Sequence, residues 1–282
     1  MIALLRTEGV KAALRTRTLI ITVMLVGLPA LIVVAIHSRG DRRGRPDRAE
    51  GLFRLAEQSG LLVPAAVLSV MSGFLLVVIA GFLAGDSVAG DAAWGNLRYV
   101  LMRPVGRTRL LVAKATVAGF LIWVCVLLVA LAALVAGTLV FGSHPVTVPL
   151  TAAINGNTAT AGFQLATSVI VERVAIGAAY IAFGFTALLA LGTFFSTLTD
   201  TPTGAIGATV GVYIVSEILD GITQIGVIRY GFPTHYLDAW QSMLTLNHYS
   251  RDMIAGIIVQ LAYLIVFGAA AVFWFNRSDI RS

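Results

Sequence analysis

Polar residues interrupt this 282-residue chain only at intervals, and six apolar runs lie between them. The runs fall near 19–37, 61–84, 115–141, 174–198, 204–222 and 254–275. Each is close to the ~20 residues that a helix needs to cross a ~30 Å hydrocarbon core. They are continuously apolar and do not alternate with period two, so they predict helices and not the strands of a barrel. The first run is no cleavable signal sequence: it follows a basic segment, continues past Pro29 to Ile36, and meets no small-x-small site before Arg39. Pro29 and Pro64 fall inside or at the start of runs, where membrane helices tolerate proline better than soluble ones. Gly81/Gly85 and Gly207/Gly211 offer two small-xxx-small faces for close helix contact. The expected fold class is all-α, a polytopic membrane protein of about six spans in one domain, 1–282.

Composition narrows the function. Hydrophobic residues make up 58% of the chain, charged residues only 12%, and mean hydropathy is +0.89. A globule this apolar has too little polar surface to cover itself, which excludes a soluble enzyme, a nucleic-acid binder or a disordered chain. The net charge of +6 therefore belongs to membrane-flanking loops and anionic lipid, with no nucleic-acid partner. The single cysteine, Cys125, sits within an apolar run and reads as a small buried hydrophobe; no disulfide framework or thiolate cluster is available. Arginine supplies 18 of the 20 basic residues, and the chain is rich in Ala, Gly and Val, a bias typical of high-GC bacterial genomes. The expected location is a bacterial plasma membrane.

Six spans place both termini on one side. With the termini inside, eleven basic residues face the cytoplasm and nine face out, so charge favours that orientation only narrowly. The Arg-rich stretch 39–48 pulls the other way. Residues 1–18 read as an interfacial amphipathic helix, with Ile2, Leu5, Ala12 and Leu14 among Arg6, Lys11, Arg15 and Arg17. Residues 142–171 read as a Thr/Asn/Gly loop, uncharged until Glu172-Arg173, and the link between spans 4 and 5 is very short. In the last loop, 223–253, Tyr236, Leu237, Trp240, Met243 and Leu244 recur at helical spacing and predict a short helix at the outer interface, anchored by Tyr and Trp.

Most catalytic constellations are absent. Neither lysine follows a glycine, so the phosphate-cradling Gly-x-x-x-x-Gly-Lys-Ser/Thr loop does not occur. No His-Glu-x-x-His helix occurs, and His37, His144, His235 and His248 never pair at metal-ligand spacing. They read as scattered interfacial histidines, with a pH or metal role as the alternative. The intramembrane polar residues Gln260, Thr186, Thr193 and Tyr180 form no evident catalytic set. A membrane enzyme or assembly factor would need such a set, and a secondary transporter would need charges at mid-span.

The segment after span 2 is the informative one. It reads Asp86, Gly90-Asp91, Gly95-Asn96-Leu97, Val100-Leu101, then Arg103-Pro104-Val105-Gly106-Arg107, and Lys114 downstream. This order resembles the coupling loop of the permease subunits of type-two ABC exporters, the class with the ABCG-like membrane domain. That family typically shows Asp, Gly-Glu, Gly-Thr-Leu, Leu-Leu, Pro-Val-Ser-Arg and a following Lys. The departures are Asp91 for Glu, Asn96 for Thr and Gly106 for Ser. The basic N-terminus is similar to the family's elbow helix, and the Pro-x-x-Tyr-Leu segment before span 6 is similar too. The resemblance implies a non-enzymatic permease subunit with cytoplasmic termini that forms a transport path with a second permease copy. A separate ATPase subunit, present in two copies and carrying ATP and Mg, would dock on 85–114. The residues implied in coupling are Asp86, Gly90, Asp91, Gly95, Arg103, Pro104, Arg107 and Lys114.

Glu217 and Asp220 are the only acidic pair within a span. Three residues apart, they share a helix face in the outer third of the membrane. Two roles fit: an outer gate or cationic-substrate contact, or a helix end whose Glu217 pairs with Arg173 or Arg229.

Overall fold

The computed structural model describes residues 9, 16–38, 48–93, 106–154, 157–246 and 251–277. The expected elbow helix, 1–18, lies almost wholly outside them; only Gly9 and Thr16–Thr18 are described, the latter as the start of a span. The chain is predominantly helical. Long helices are α1 (Thr16–Ser38), α6 (Arg107–Phe141), α7 (Thr167–Leu198), α8 (Pro202–Asp220) and α10 (Arg251–Arg277). Shorter ones are α2 (Arg48–Gln58), α3 (Val63–Gly73), α4 (Leu75–Gly85), α5 (Ala89–Ala93) and α9 (Ser242–Leu246). Five helices are long and apolar enough to cross a membrane, or six spans when the pair Gly60–Gly73 and Leu75–Gly85 counts as one. This is a multi-pass membrane architecture.

The second span is bent by 54° between α3 and α4. The cause is local. Ser69 and Ser72 turn their hydroxyls back onto the carbonyls of Ala66 and Ser69, and Gly73 follows, a combination that loosens the helical ladder. Phe74 leaves helical geometry, and the Tyr213 hydroxyl of α8 reaches to 3.5 Å from the Ser72 carbonyl at the break.

Two features depart from the sequence expectation. Residues 142–171 carry a β-hairpin, β1 (Val146–Ile154) paired antiparallel with β2 (Asn157–Leu165), and the last residues belong to α7. The segment 223–246 folds as a 3-10 stretch (Thr223–Gly231), turns, a 3-10 turn (Ala239–Gln241) and the short α9, so the expected helix is realised only over 239–246. The two parts of the segment differ: Val227, Ile228 and Tyr230 of the 3-10 stretch are exposed, whereas the apolar residues of 240–244 face protein. Trp240, Met243 and Leu244 are fully buried, because α7 leaves room for them. A Cβ at Gly177 would lie 2.6 Å from the Trp240 ring, and one at Gly184 would lie 2.5 Å from a Leu237 methyl.

The α7 helix is the axis of the bundle. It packs against α4, α6, α8 and α10, and 72% of its most apolar stretch is buried, against 17–28% for the other unbroken spans. At its far end Gly192 sits where a Cβ would meet Ala84 at 2.6 Å and the Thr209 hydroxyl at 2.8 Å, drawing α4 and α8 together. The hairpin end of the bundle is closed by a second close approach: the Gly60 amide donates to the Gly142 carbonyl at 2.9 Å. Gly142, with φ +73°, ends α6 in the left-handed conformation that favours glycine.

The two small-xxx-small faces have different fates. Gly81 and Gly85 lie against α8, where a Cβ would meet Val210 at 2.9 Å and Ile206 at 2.6 Å; Gly207 and Gly211 face open space. Gly85→Val should therefore lower stability by about 1–3 kcal/mol through overpacking, whereas Gly207→Val should change it little. Thermal unfolding of the detergent-solubilised variants checks this, and equal shifts would contradict the packing.

Candidate functional site

The segment that resembles a coupling loop lies at the end of the bundle opposite the hairpin. Asp86 caps α4, with its amide donating to the Phe82 carbonyl at 3.0 Å. Gly90 and Asp91 lie on α5. Gly95, Arg103 and Pro104 lie outside the described residues. Arg107 is the first residue of α6, so Arg107–Lys114 forms two turns of helix and is not part of a flexible link. At ~1.5 Å per residue the 35-residue α6 is about 52 Å long, well beyond a ~30 Å core, and these two turns carry all of its cations.

Three contacts fasten α5 to the spans. The Ser196 hydroxyl, buried on α7, accepts hydrogen bonds from the amides of Val88 (3.1 Å) and Ala89 (2.9 Å) and donates to the Gly85 carbonyl (2.7 Å). Ser196 thus caps a short helix that lies more than 100 residues away in sequence, satisfying two amides that no residue of that helix can serve. The Asp91 carboxylate forms an ion pair with the Lys114 ammonium; only 16% and 7% of these side chains are exposed. An apolar cluster completes the joint, in which Val88 and Ala92 pack with Leu111 of α6, Phe194 of α7 and Phe275 of α10. Gly90 lets the chain pass under Asp86, since a Cβ there would lie 2.8 Å from the Asp86 carboxyl carbon.

The described part of the segment, 86–93, is therefore bolted to the ends of α4, α6, α7 and α10. Asp91 points into the molecule, towards Lys114, and does not present its charge outward. Ser196 carried no signal in sequence: a serine near a helix end in an apolar run is commonplace, and its partners are set only by the fold.

At the hairpin end, Glu217 and Asp220 part company. The Asp220 carboxylate contacts His235 Nδ1 at 2.5 Å and lies 3.7 Å from Arg229 Nε, so it ties the 3-10 stretch back to α8. Arg173 donates to the Met243 carbonyl at 2.7 Å. Glu217 is exposed and makes no side-chain hydrogen bond or ion pair among the described residues. The intramembrane polar residues serve backbone carbonyls. Tyr180 donates to Tyr236 (2.7 Å), Gln260 to Pro233 (2.6 Å) and Tyr263 to Gly231 (3.1 Å), while Thr186 and Thr193 bond within α7. Gly256 is open so that the Tyr180 hydroxyl can occupy the space of its missing Cβ.

The model of a family described as a protein of unknown function (DUF2705) matches residues 53–281. No curated protein matches the chain.

Removing one partner of a buried ion pair strands the other charge. Lys114→Met should thus cost about 3–5 kcal/mol, and Asp91→Leu with Lys114→Met together much less than the sum. A double-mutant cycle by chemical unfolding measures the coupling; additive effects would mean the pair is not buried as described. A separate outcome concerns Asp220: Asp220→Asn should loosen the 223–235 stretch, raising its hydrogen exchange while α7 amides stay protected.

Proposed function

The chain belongs to the family described as a protein of unknown function (DUF2705), and we propose that this member is the permease subunit of an ATP-driven exporter. In this reading two permease copies form the translocation path, and a separate ATPase subunit, which binds ATP and Mg, docks on the segment 86–107. The basic N-terminal stretch is its elbow helix. Both termini are cytoplasmic, in a bacterial plasma membrane. The chain itself holds no cofactor and performs no hydrolysis. Amphipathic molecules such as drugs, lipids or peptides suit its apolar spans better than sugars.

The observation that supports the reading best is the fastening of α5. A docking segment transmits force only if it moves as one body with the spans it must tilt. Here the Ser196 hydroxyl, the Asp91–Lys114 pair and the Val88–Leu111–Phe275 contacts join the segment to four spans. A push on its described part, 86–93, is passed to α6 and α7 through these contacts. The Tyr180 hydroxyl and the Gln260 amide nitrogen are engaged by backbone carbonyls, which weakens the rival reading as a membrane enzyme.

Affinity purification of the chain expressed with its chromosomal neighbours should bring down an ATPase subunit. Copies carrying different tags should also recover each other. Ser196→Ala leaves two buried amides without an acceptor, a cost of about 1–3 kcal/mol each, and should loosen the joint without touching the docking surface. The ATPase subunit should then stay bound while substrate-stimulated hydrolysis falls. Purification of the chain with no ATPase subunit, and only one tag recovered, would end this reading.

A further inference from the structure

A groove of about 720 Å³ runs between α6, α7 and α10 in the half of the bundle that carries Lys114. Val112, Gly119, Leu189, Leu264, Gly268 and Phe273 are among its lining residues. The volume falls within the roughly 300–1,000 Å³ typical of small-molecule sites. Three threonines reach it, but each hydroxyl is turned to its own helix: Thr116 to Val112 O (2.7 Å), Thr186 to Phe183 O (2.6 Å) and Thr193 to Leu189 O (2.8 Å). The wall is therefore apolar along its length. Its lips, Val112, Thr116 and Phe273, are exposed on the outside of the bundle.

The groove's polar end has a different chemistry. Asn276 and Thr108 bond to each other there, with the Asn276 amide donating to the Thr108 hydroxyl at 3.0 Å. The Arg277 guanidinium lies 4.2 Å from the centroid of the Phe273 ring, a lining residue, and is exposed. Arg109, also exposed, stands three residues before Val112 on the same face of α6. Lys114 contributes no charge to this mouth, because it is buried against Asp91. An apolar trough that opens sideways between spans, with the Arg277 guanidinium over the lining ring of Phe273 and Arg109 one helical turn before Val112, suits a hydrocarbon chain with an anionic head.

We propose that this groove is a binding site for one anionic phospholipid, with an acyl chain between α6 and α10 and the phosphate at Arg109 and Arg277. Basic sites between spans recognise anionic headgroups in this way. The site is independent of the transport reading, and its test does not require an ATPase partner.

Two lining glycines allow a clean test. Both glycines line the groove and a Cβ at either meets nothing within 4 Å, so a leucine side chain there starts in open space and extends into the groove. Native mass spectrometry of the full chain, purified from membranes containing phosphatidylglycerol, should show one retained phosphatidylglycerol per chain. Added dioleoyl-phosphatidylglycerol should raise the melting temperature, whereas dioleoyl-phosphatidylcholine and inorganic phosphate should not. Gly268→Leu, and independently Gly119→Leu, should abolish retention while leaving the lipid-free melting temperature unchanged. Arg109→Gln with Arg277→Gln should weaken binding roughly 30-fold, about 2 kcal/mol for two basic groups at a lipid surface. Equal stabilisation by phosphatidylcholine would overturn the headgroup assignment. Retention at the original level in both leucine variants would overturn the site itself. A Gly268→Leu chain that keeps its phosphatidylglycerol but changes its dimer fraction would give the groove to a second copy and overturn the proposal.

Discussion

Every other part of this bundle is placed by how closely its neighbours can approach α7. A helix that contacts four spans and a folded loop cannot carry large side chains on all sides, and α7 solves this with glycine where the approach is closest. Gly177 receives Trp240, Gly184 receives Leu237, and Gly192 lets Ala84 and Thr209 come in from two sides. In lipid there is no hydrophobic drive between apolar helices, so such contacts hold by dispersion and fit, and a missing Cβ counts for more than it would in water. With α7 set, the positions of α4, α6, α8 and α10 follow, and with them the Ser196 hydroxyl that holds α5.

The two ends of the bundle are braced by opposite means. At the Lys114 end the fastening is compact: an ion pair, a bridging hydroxyl and a small apolar cluster grip one short helix. At the hairpin end the long irregular stretch 221–241 holds itself by successive turn hydrogen bonds, and carbonyls left outside those turns take donors from the spans. Tyr180, Gln260 and Tyr263 supply them from α7 and α10, and Arg173 serves Met243 in α9. Polar side chains within apolar spans invite a catalytic reading, yet here they carry the loop. The same logic explains why Asp220 is tied to His235 and Arg229 and Glu217 is not: Asp220 ends α8 where the stretch begins, and Glu217 lies one turn earlier, on the exposed side.

Hydropathy located the spans well, because a run of some 20 apolar residues has few alternatives to a membrane helix. It was blind to what happens inside or beside a run. The bend at Phe74 falls in the uniformly apolar stretch 61–84, and only the Ser69/Ser72-Gly73 combination hinted at it. The β-hairpin was legible in Asn155-Gly156 between two Thr-rich runs, a strong hairpin signal, but low charge made the segment look like a loop. Helical spacing of Tyr236, Leu237, Trp240 and Met243 showed an apolar face without showing what it meets; Gly177 and Gly184 were the missing half of that inference. In the coupling segment, Arg107, Arg109 and Lys114 read as loop charges because they lie ahead of the continuous apolar run that begins near 115. Once α6 is seen to start at Arg107 and to overshoot the membrane, Lys114 comes to the level of Asp91 and the pair forms.

That overshoot links the fastened segment to the groove beside it. Leu111 touches α5 through the small apolar cluster and also lines the groove, and Ala271 does the same on α10. The wall between the two features is thus one residue thick on each helix. A displacement of α5 that tilts the end of α6 relative to α10 must open or close the groove, since close-packed side chains at such a joint shift together. Conversely, an acyl chain wedged between α6 and α10 resists that tilt and so biases the position of α5. With a lipid in the groove as proposed, its occupancy and the position of the segment would be coupled through these shared residues, and by linkage each would favour the same arrangement of the other.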